Sequence, residues 1–86
     1  MRELEKILKA LANKRRLAIL KYLNENREAS VGEIASAIHL SFKATSRHLA
    51  ILAAVDILEK DQKSLQVFYR LAQKSHSVIR QVLSLL

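Results

Sequence analysis

Residues 30–54 read SVGEIASAIHLSFKATSRHLAILAA, and this stretch decides the fold. Ser30 and Glu33 form a capping box, in which the hydroxyl and the carboxylate each accept a bond from the other residue's backbone amide. A short helix with apolar periodicity follows, and Ser41 is placed to cap a second helix, predicted over 42–54. Two short helices separated by only a few residues predict a helix-turn-helix.

The sequence on the N-terminal side of this motif predicts two more helices. Leucine and isoleucine recur at intervals of three and four residues from Arg2 to Leu11, which is the spacing of one helical face. Asn13 is a favourable N-cap for a second helix, whose apolar face continues to Leu23. The polar run 24–28 is predicted to be a loop.

On the C-terminal side the hydrophobic period changes. Residues 57–60 are short and half-apolar, residues 61–64 are polar and read as a hairpin tip, and residues 65–71 alternate apolar with polar, which is typical of a strand. The last segment, 72–86, is helical again. The predicted fold class is mainly α with a β-hairpin, in the order α-α-α-α-β-β-α, a winged helix-turn-helix that forms a single domain of residues 1–86.

The composition limits the classes of function. Fifteen lysines and arginines against eight acidic residues give a formal net charge of +7, which favours a polyanionic partner, with nucleic acid first. The absence of cysteine removes disulfides and thiolate metal sites, and a single glycine cannot build a phosphate-cradling loop. No paired carboxylates or nucleophile–base constellation is evident, so the sequence predicts that the chain is not an enzyme.

The chain also lacks targeting signals. Residues 1–6 carry no apolar run of the kind that a secretory signal needs, and no stretch approaches the length of about 18 apolar residues that spans a membrane. We therefore expect a cytoplasmic protein with no membrane partner.

Four stretches, taken in order, resemble the ArsR/SmtB winged-helix family. Residues 11–20, LANKRRLAIL, resemble the family's LADPTRLRIL, and residues 41–52 resemble its recognition helix, SQSTVSRHLKLL. Residues 55–58 stand where the family has AGLV, and residues 67–71, VFYRL, resemble VYYRL. The resemblance implies a DNA-binding transcriptional regulator that forms a dimer through its first and last helices.

The chain departs from this family where its metal sensors bind their ions. Metal-sensing members carry Cys-x-Cys on the third helix, whereas residues 31–34 here read VGEI. Others place histidines and acidic residues on the last helix, which here offers only His76, with Ile79 and Arg80 as its helical neighbours. Because zinc takes four ligands at short spacing, we expect no metal and no cofactor.

The helix-turn-helix predicts which side chains meet DNA, since the first turns of its second helix enter the major groove. The candidate recognition-helix contacts are Ser41, Phe42, Lys43, Thr45, Ser46, Arg47 and His48. The candidate wing and backbone contacts are Lys60, Gln62, Lys63 and Arg16. Four alternatives stay open: Thr45 as a core residue, His48 and Arg16 as structural residues, and the wing lysines as a solvated hairpin.

Apolar stripes on the first and last helices exceed the needs of one small core, which favours a homodimer. The candidate interface residues are Leu4, Ile7, Leu8, Leu11, Ile79, Val82, Leu83 and Leu86. Closure of the monomer core is the alternative role for them. The predicted function is a dimeric repressor that binds an inverted repeat in double-stranded DNA. A protein-interaction module is the alternative, and it predicts a neutral or acidic face where Lys43 and Arg47 stand.

Overall fold

The helix-turn-helix is embedded in a chain of five helices and three strands, and the computed structural model describes all residues from 1 to 86. The elements in order are α1 (Arg2–Leu11), α2 (Lys14–Glu25), β1 (Glu28–Ser30), α3 (Val31–Ile38), α4 (Phe42–Ala54), β2 (Leu58–Lys63), β3 (Gln66–Leu71) and α5 (Ser77–Leu85). The strands form one antiparallel sheet in the order β1-β3-β2. The winged helix-turn-helix fold is confirmed. None of the helices combines the length and the apolar character needed to cross a bilayer.

Side-chain caps fix where the three central helices begin. The Asn13 side chain accepts bonds from the backbone amides of the first turn of α2, at 2.9 and 3.1 Å. Ser30 and Glu33 form both bonds of the predicted capping box at the start of α3, at 3.2 and 2.8 Å. The Ser41 hydroxyl accepts from the Ala44 amide at 3.1 Å and starts α4. These caps set the boundaries of the helix-turn-helix because each is a local interaction.

The predicted loop over 24–28 is wrong at both ends. The helix α2 continues to Glu25, and Glu28 opens a strand that the α-α-α-α-β-β-α order omits. In β1, Glu28, Ala29 and Ser30 pair with Arg70, Tyr69 and Phe68. A three-residue strand carries too few positions to show an alternating pattern, so its partner strand defines it rather than its own sequence.

The hairpin tip also differs from the prediction over 61–64. The strand β2 continues through Lys63, which pairs with Gln66, and leaves a two-residue turn of Ser64 and Leu65. Ser64 has φ 60°, the left-handed backbone that such a turn demands. The last helix starts at Ser77 rather than 72, after a cap in which the His76 ring Nδ1 accepts from the Val78 amide at 3.1 Å.

One hydrophobic core lies between the helices and the sheet. Ile19, Leu20, Ile34, Leu49 and Leu52 are its fully buried centre, contributed by α2, α3 and α4.

Three of the predicted dimer residues belong to this core as well. They are Ile7, Leu11 and Ile79. The prediction that these three form an interface is therefore wrong, because their side chains are already buried within one chain.

Candidate nucleic-acid interface

The outer face of α4 presents two cations to solvent. Lys43 and Arg47 stand four residues apart on this helix and are both exposed, while Leu49 and Leu52 anchor its opposite side in the core. Neither cation takes part in any of the three ion pairs of the structure. Beside them, Phe42 is 62% exposed and Ser46 is half-buried.

Thr45 lies on the inner side of the same helix. Its side chain is fully buried, and its hydroxyl oxygen Oγ1 has no hydrogen-bond partner. A side chain with no exposed surface cannot reach a base edge while α4 keeps its packing. The predicted DNA contact of Thr45 is therefore wrong, and the core alternative describes its position.

Arg16 spans three helices. Its Nε donates to the Ala10 carbonyl, its Nη2 donates to the Lys9 carbonyl at 3.5 Å, and its Nη1 lies 3.2 Å from Nδ1 of His48. The Ala10 carbonyl is one of the last carbonyls of α1, which lack partners within their helix, whereas the Lys9 carbonyl also accepts from the Ala12 amide at 3.3 Å. These bonds favour the structural alternative for Arg16, and its predicted phosphate contact stays a prediction.

His48 is the partner of Arg16 on α4. Because arginine only donates, Nδ1 of His48 must accept, which leaves the ring proton on Nε2. Burial lowers the pKa of His48 below its ordinary value, and the positive charges of Arg16, Arg15 and Arg47 lower it further. The ring is half-buried and bonded to α2, which favours the structural alternative, and the predicted DNA contact of His48 stays a prediction.

The wing carries charges that are mostly paired. Lys63 bonds both carboxylate oxygens of Glu28, with Nζ–Oε1 at 3.1 Å, and its Nζ lies 5.1 Å from the centre of the Phe68 ring. The hydrogen bond from Lys63 is the main reason that the pKa of Glu28 is lowered. Arg70 pairs with Glu59 at 3.3 Å across the hairpin. The pairing of Glu28 with Lys63 had no sequence signal, since it joins residues of two separate strands.

Two predicted wing contacts keep exposed side chains. Lys60 is exposed on β2 and belongs to none of the ion pairs. Gln62 is exposed and makes one long bond, from Nε2 to the Ser64 carbonyl at 3.4 Å. Of the predicted wing cations, Lys60 is therefore the one available to an outside anion without breaking an existing pair.

A cleft of about 430 Å³ separates α4 from the wing. Phe42 and Ser46 line one wall, and Lys60 and Leu65 line the other. Leu65 is 96% exposed at the tip of the hairpin. Sequence reasoning missed it, because the alternating pattern placed residue 65 in the strand.

The remaining predicted dimer residues keep apolar surface outside the core. Leu8 on α1 is 47% exposed and lines a shallow groove of about 610 Å³ together with Met1 and Leu4. The candidates on α5 and after it are partly or largely exposed: Val82, Leu83 and Leu86. Leu85 on the same helix, which was not among the candidates, is 83% exposed.

A helix-turn-helix with a cationic outer face, followed by a hairpin that extends a three-stranded sheet, defines a winged helix-turn-helix domain. Residues 13–60 match the model of the bacterial regulatory protein, arsR family. The chain belongs to this family, and the resemblance noted in its motifs is confirmed.

Individual relatives agree with this assignment. The chain is 46% identical over 66 residues to the transcriptional activator HlyU of Vibrio cholerae, covering 77% of this chain and 60% of the relative. It is 36% identical over 66 residues to the HTH-type transcriptional repressor SmtB of Mycobacterium tuberculosis, covering 77% and 48%. The chain thus spans between half and three fifths of the length of these curated relatives. All are regulatory proteins, which agrees with the prediction that the chain is not an enzyme.

Solved structures share the fold over almost the whole chain. HlyU from Vibrio cholerae superimposes with a TM-score of 0.82 at 38% identity, covering 96% of this chain and 86% of that one. A domain of Mb0332 from Mycobacterium bovis, described as a homodimeric winged helix-turn-helix DNA-binding domain, gives 0.82 at 29% identity, covering 96% and 73%.

Proposed function

We propose that the chain is a sequence-specific regulator of transcription that binds double-stranded DNA as a homodimer and represses from an inverted-repeat operator. The observation that carries this proposal is the outer face of α4, where Lys43 and Arg47 are exposed and without an ion-pair partner. On a chain with a net charge of +7, such a face suits the major groove. A protein-interaction module predicts a neutral or acidic face at this place.

The exposed residues of α4 divide into base and backbone contacts. Arg47 has the length and the planar fork for a bidentate contact to guanine, and Phe42 can pack on a thymine methyl group. Lys43 and Ser46 suit phosphates or base edges, and Ser41 lies at the N-terminus of the helix, where amides favour a phosphate. Lys60 supplies a phosphate contact from the wing.

The proposal includes neither a metal nor a cofactor. The chain has no cysteine, and its three histidines stand on different elements: His39 ends α3, His48 packs against α2, and His76 caps α5. Repression would follow from occupation of a promoter by the dimer. The assembly and the sign of regulation are proposals, since one similar protein is named an activator and another a repressor.

The direct test is a fluorescence-anisotropy titration at two salt concentrations. The probes are the region upstream of the protein's own gene and a duplex enriched from a random pool. We expect specific binding that weakens with salt. The double variant Lys43→Ala, Arg47→Ala should lose at least about tenfold in affinity and flatten the salt dependence.

A matched double variant, Lys21→Ala with Lys74→Ala, removes the same charge from exposed positions outside α4 and the wing. It should retain most of the affinity. If the α4 double variant folds and binds as tightly as the wild type, the recognition role of α4 is contradicted. If the wild type enriches no duplex, the DNA-binding function itself is contradicted.

A further inference from the structure

The cations of the wing are balanced by nearby carboxylates. The hairpin of β2 and β3 carries Lys60, Lys63 and Arg70 against Glu59 and Asp61, and Glu28 on the adjacent strand β1 supplies the third negative charge. Lys63 and Arg70 are held in ion pairs by Glu28 and Glu59. Attraction to the DNA backbone therefore gives the wing little affinity as a unit, and any larger contribution must come from another kind of contact.

The tip of the wing is apolar. The two-residue turn is Ser64-Leu65, and its left-handed residue is Ser64, at φ 60°. Turns of this kind are usually built from glycine, asparagine, aspartate and serine, so a leucine at the second position departs from the usual composition. Leu65 is 96% exposed, so the fold gains almost nothing from its side chain, and such a departure is expected at a functional position.

The hairpin holds this leucine on a braced support. Six residue pairs join β2 to β3, and β1 supports the other edge of β3. The bond of Lys63 to Glu28 ties the last pair of the hairpin to β1, and the Lys63 ammonium also covers the Phe68 ring. A backbone braced in this way loses little freedom when the side chain of Leu65 is inserted into a partner.

The cleft relates Leu65 to the recognition helix. Phe42 and Ser46 of α4 form one wall of it and Leu65 stands on the other. With α4 in the major groove, a sugar-phosphate strand beside it would enter this cleft, which Lys60 lines. The neighbouring minor groove would lie on the far side of that strand, and Leu65 would then face the base steps that flank the contacts of α4.

From this geometry we infer that Leu65 is an apolar wedge. It enters the minor groove next to the base pairs read by α4, partly unstacks one base step and bends the duplex. The inference rests on the proposed DNA-binding function and adds specificity to it, because pyrimidine–purine steps open most easily. A homodimer would place one such bend at each outer end of the operator.

The contribution of Leu65 to DNA affinity should depend on salt differently from that of a lysine. Burial of Leu65 releases no counterions, so Leu65→Ala should weaken binding by about tenfold at every salt concentration and leave the salt slope unchanged. Lys60→Ala should do the reverse, reducing the slope by about 1 while the bend persists. Leu65→Phe, which retains a large apolar tip, should keep the bend.

The experiment uses a duplex enriched from a random pool by the wild-type protein. Circularly permuted copies report the bend, and 2-aminopurine placed in the flanking steps reports unstacking. We expect a wild-type bend of at least about 20°, lost in Leu65→Ala. Thermal unfolding should be the same for both proteins, since the exposed side chain supports no packing.

A wild-type complex without a bend, or a Leu65→Ala complex with the wild-type bend and affinity, overturns the wedge while the proposed DNA binding stands. Failure of the wild type to enrich any duplex instead overturns the DNA-binding function, and the wedge with it. These outcomes separate the two proposals, because the first two require a protein that binds DNA.

Discussion

At the scale of single residues, the side chain of Arg16 links the recognition helix α4 to the two helices that begin the chain. The side chain starts on α2, donates to two carbonyls at the end of α1 and meets His48 on α4. A cation at a helix C-terminus also favours the helix dipole. One guanidinium therefore connects α1, α2 and α4, and it adds to the anchoring of α4 by Leu49 and Leu52 in the core.

Replacement of Arg16 by alanine should destabilise the fold by about 1.5–3 kcal/mol, since it removes charge-assisted bonds and leaves the Ala10 carbonyl without its side-chain partner. Arg15→Ala is the matched control, because Arg15 makes no side-chain hydrogen bond or ion pair and should change stability by about 0.5 kcal/mol or less. Urea unfolding followed by circular dichroism measures both. Equal effects of the two variants would show that the bonds of Arg16 add nothing.

The pH dependence of stability should follow His48. Its pKa in the folded chain is lowered by burial and by nearby arginines, so the unfolded chain, with an ordinary value of about 6.5, takes up the proton first. The stability present above this pH is then lost as pH falls through the folded pKa. His48→Gln, which keeps an acceptor for Arg16, should flatten the profile of melting temperature between about pH 5 and 7.

The control for this titration is His39→Asn. His39 is exposed with φ 57°, a backbone that asparagine tolerates, so this variant removes a histidine without disturbing α2 or α4. The profile of His39→Asn should keep the wild-type slope. If His48→Gln also keeps that slope, His48 does not control it.

Thr45 illustrates the cost of a buried hydroxyl. Because its Oγ1 has no partner, Thr45→Val should raise the free energy of unfolding by about 1 kcal/mol, while Thr45→Ser, which keeps the hydroxyl and removes a methyl group, should lower it. Chemical unfolding checks both changes. DNA affinity should be unaffected by Thr45→Val, and a large loss of affinity would show that Thr45 contacts DNA.

At the scale of elements, the sequence predicts those parts whose signals are local. The starts of α2, α3 and α4 follow from Asn13, Ser30 and Ser41, because a cap acts within one helical turn. The strand β1 and the true tip of the hairpin escape prediction, because pairing with β3 defines them. The start of α5 escapes as well, since His76 is not a usual cap. In the candidate interface, the exposed cations Lys43 and Arg47 could be predicted from the sequence. The bond of Arg16 to His48 could not, because it depends on how the helices pack.

The ion pair between β1 and the wing leads to a prediction at this scale. Glu28→Gln should release Lys63, raise DNA affinity at low salt and steepen the salt slope by about 1, since one more cation becomes free for phosphate. Glu25→Gln makes the same charge change at an exposed residue nearby and should leave the slope unchanged. Anisotropy titrations over a salt series measure both. Identical slopes for the two variants would show that Lys63 does not reach DNA.

At the scale of the whole molecule, one chain can occupy only one half-site of an inverted repeat. It carries a single recognition helix within dimensions of 37 × 23 × 21 Å, whereas two half-sites lie one turn of about 34 Å apart. Two chains related by a two-fold axis would supply both helices. The exposed leucines of α1 and α5 lie outside the core and outside the proposed DNA-binding elements, and they offer the apolar surface that such a contact needs.

Leu8→Asp is therefore expected to separate the dimer, because a carboxylate would be buried without a partner in an apolar interface. Sedimentation should show a change from twice the 9.8 kDa chain mass to a single chain, and binding to a two-half-site duplex should weaken to that of one half-site. Leu65→Asp is the matched control, since it places the same charge on a more exposed leucine at the wing tip and should remain dimeric. If Leu8→Asp keeps the dimer mass, α1 lies outside the interface, and the pairing surface must be sought on α5 alone.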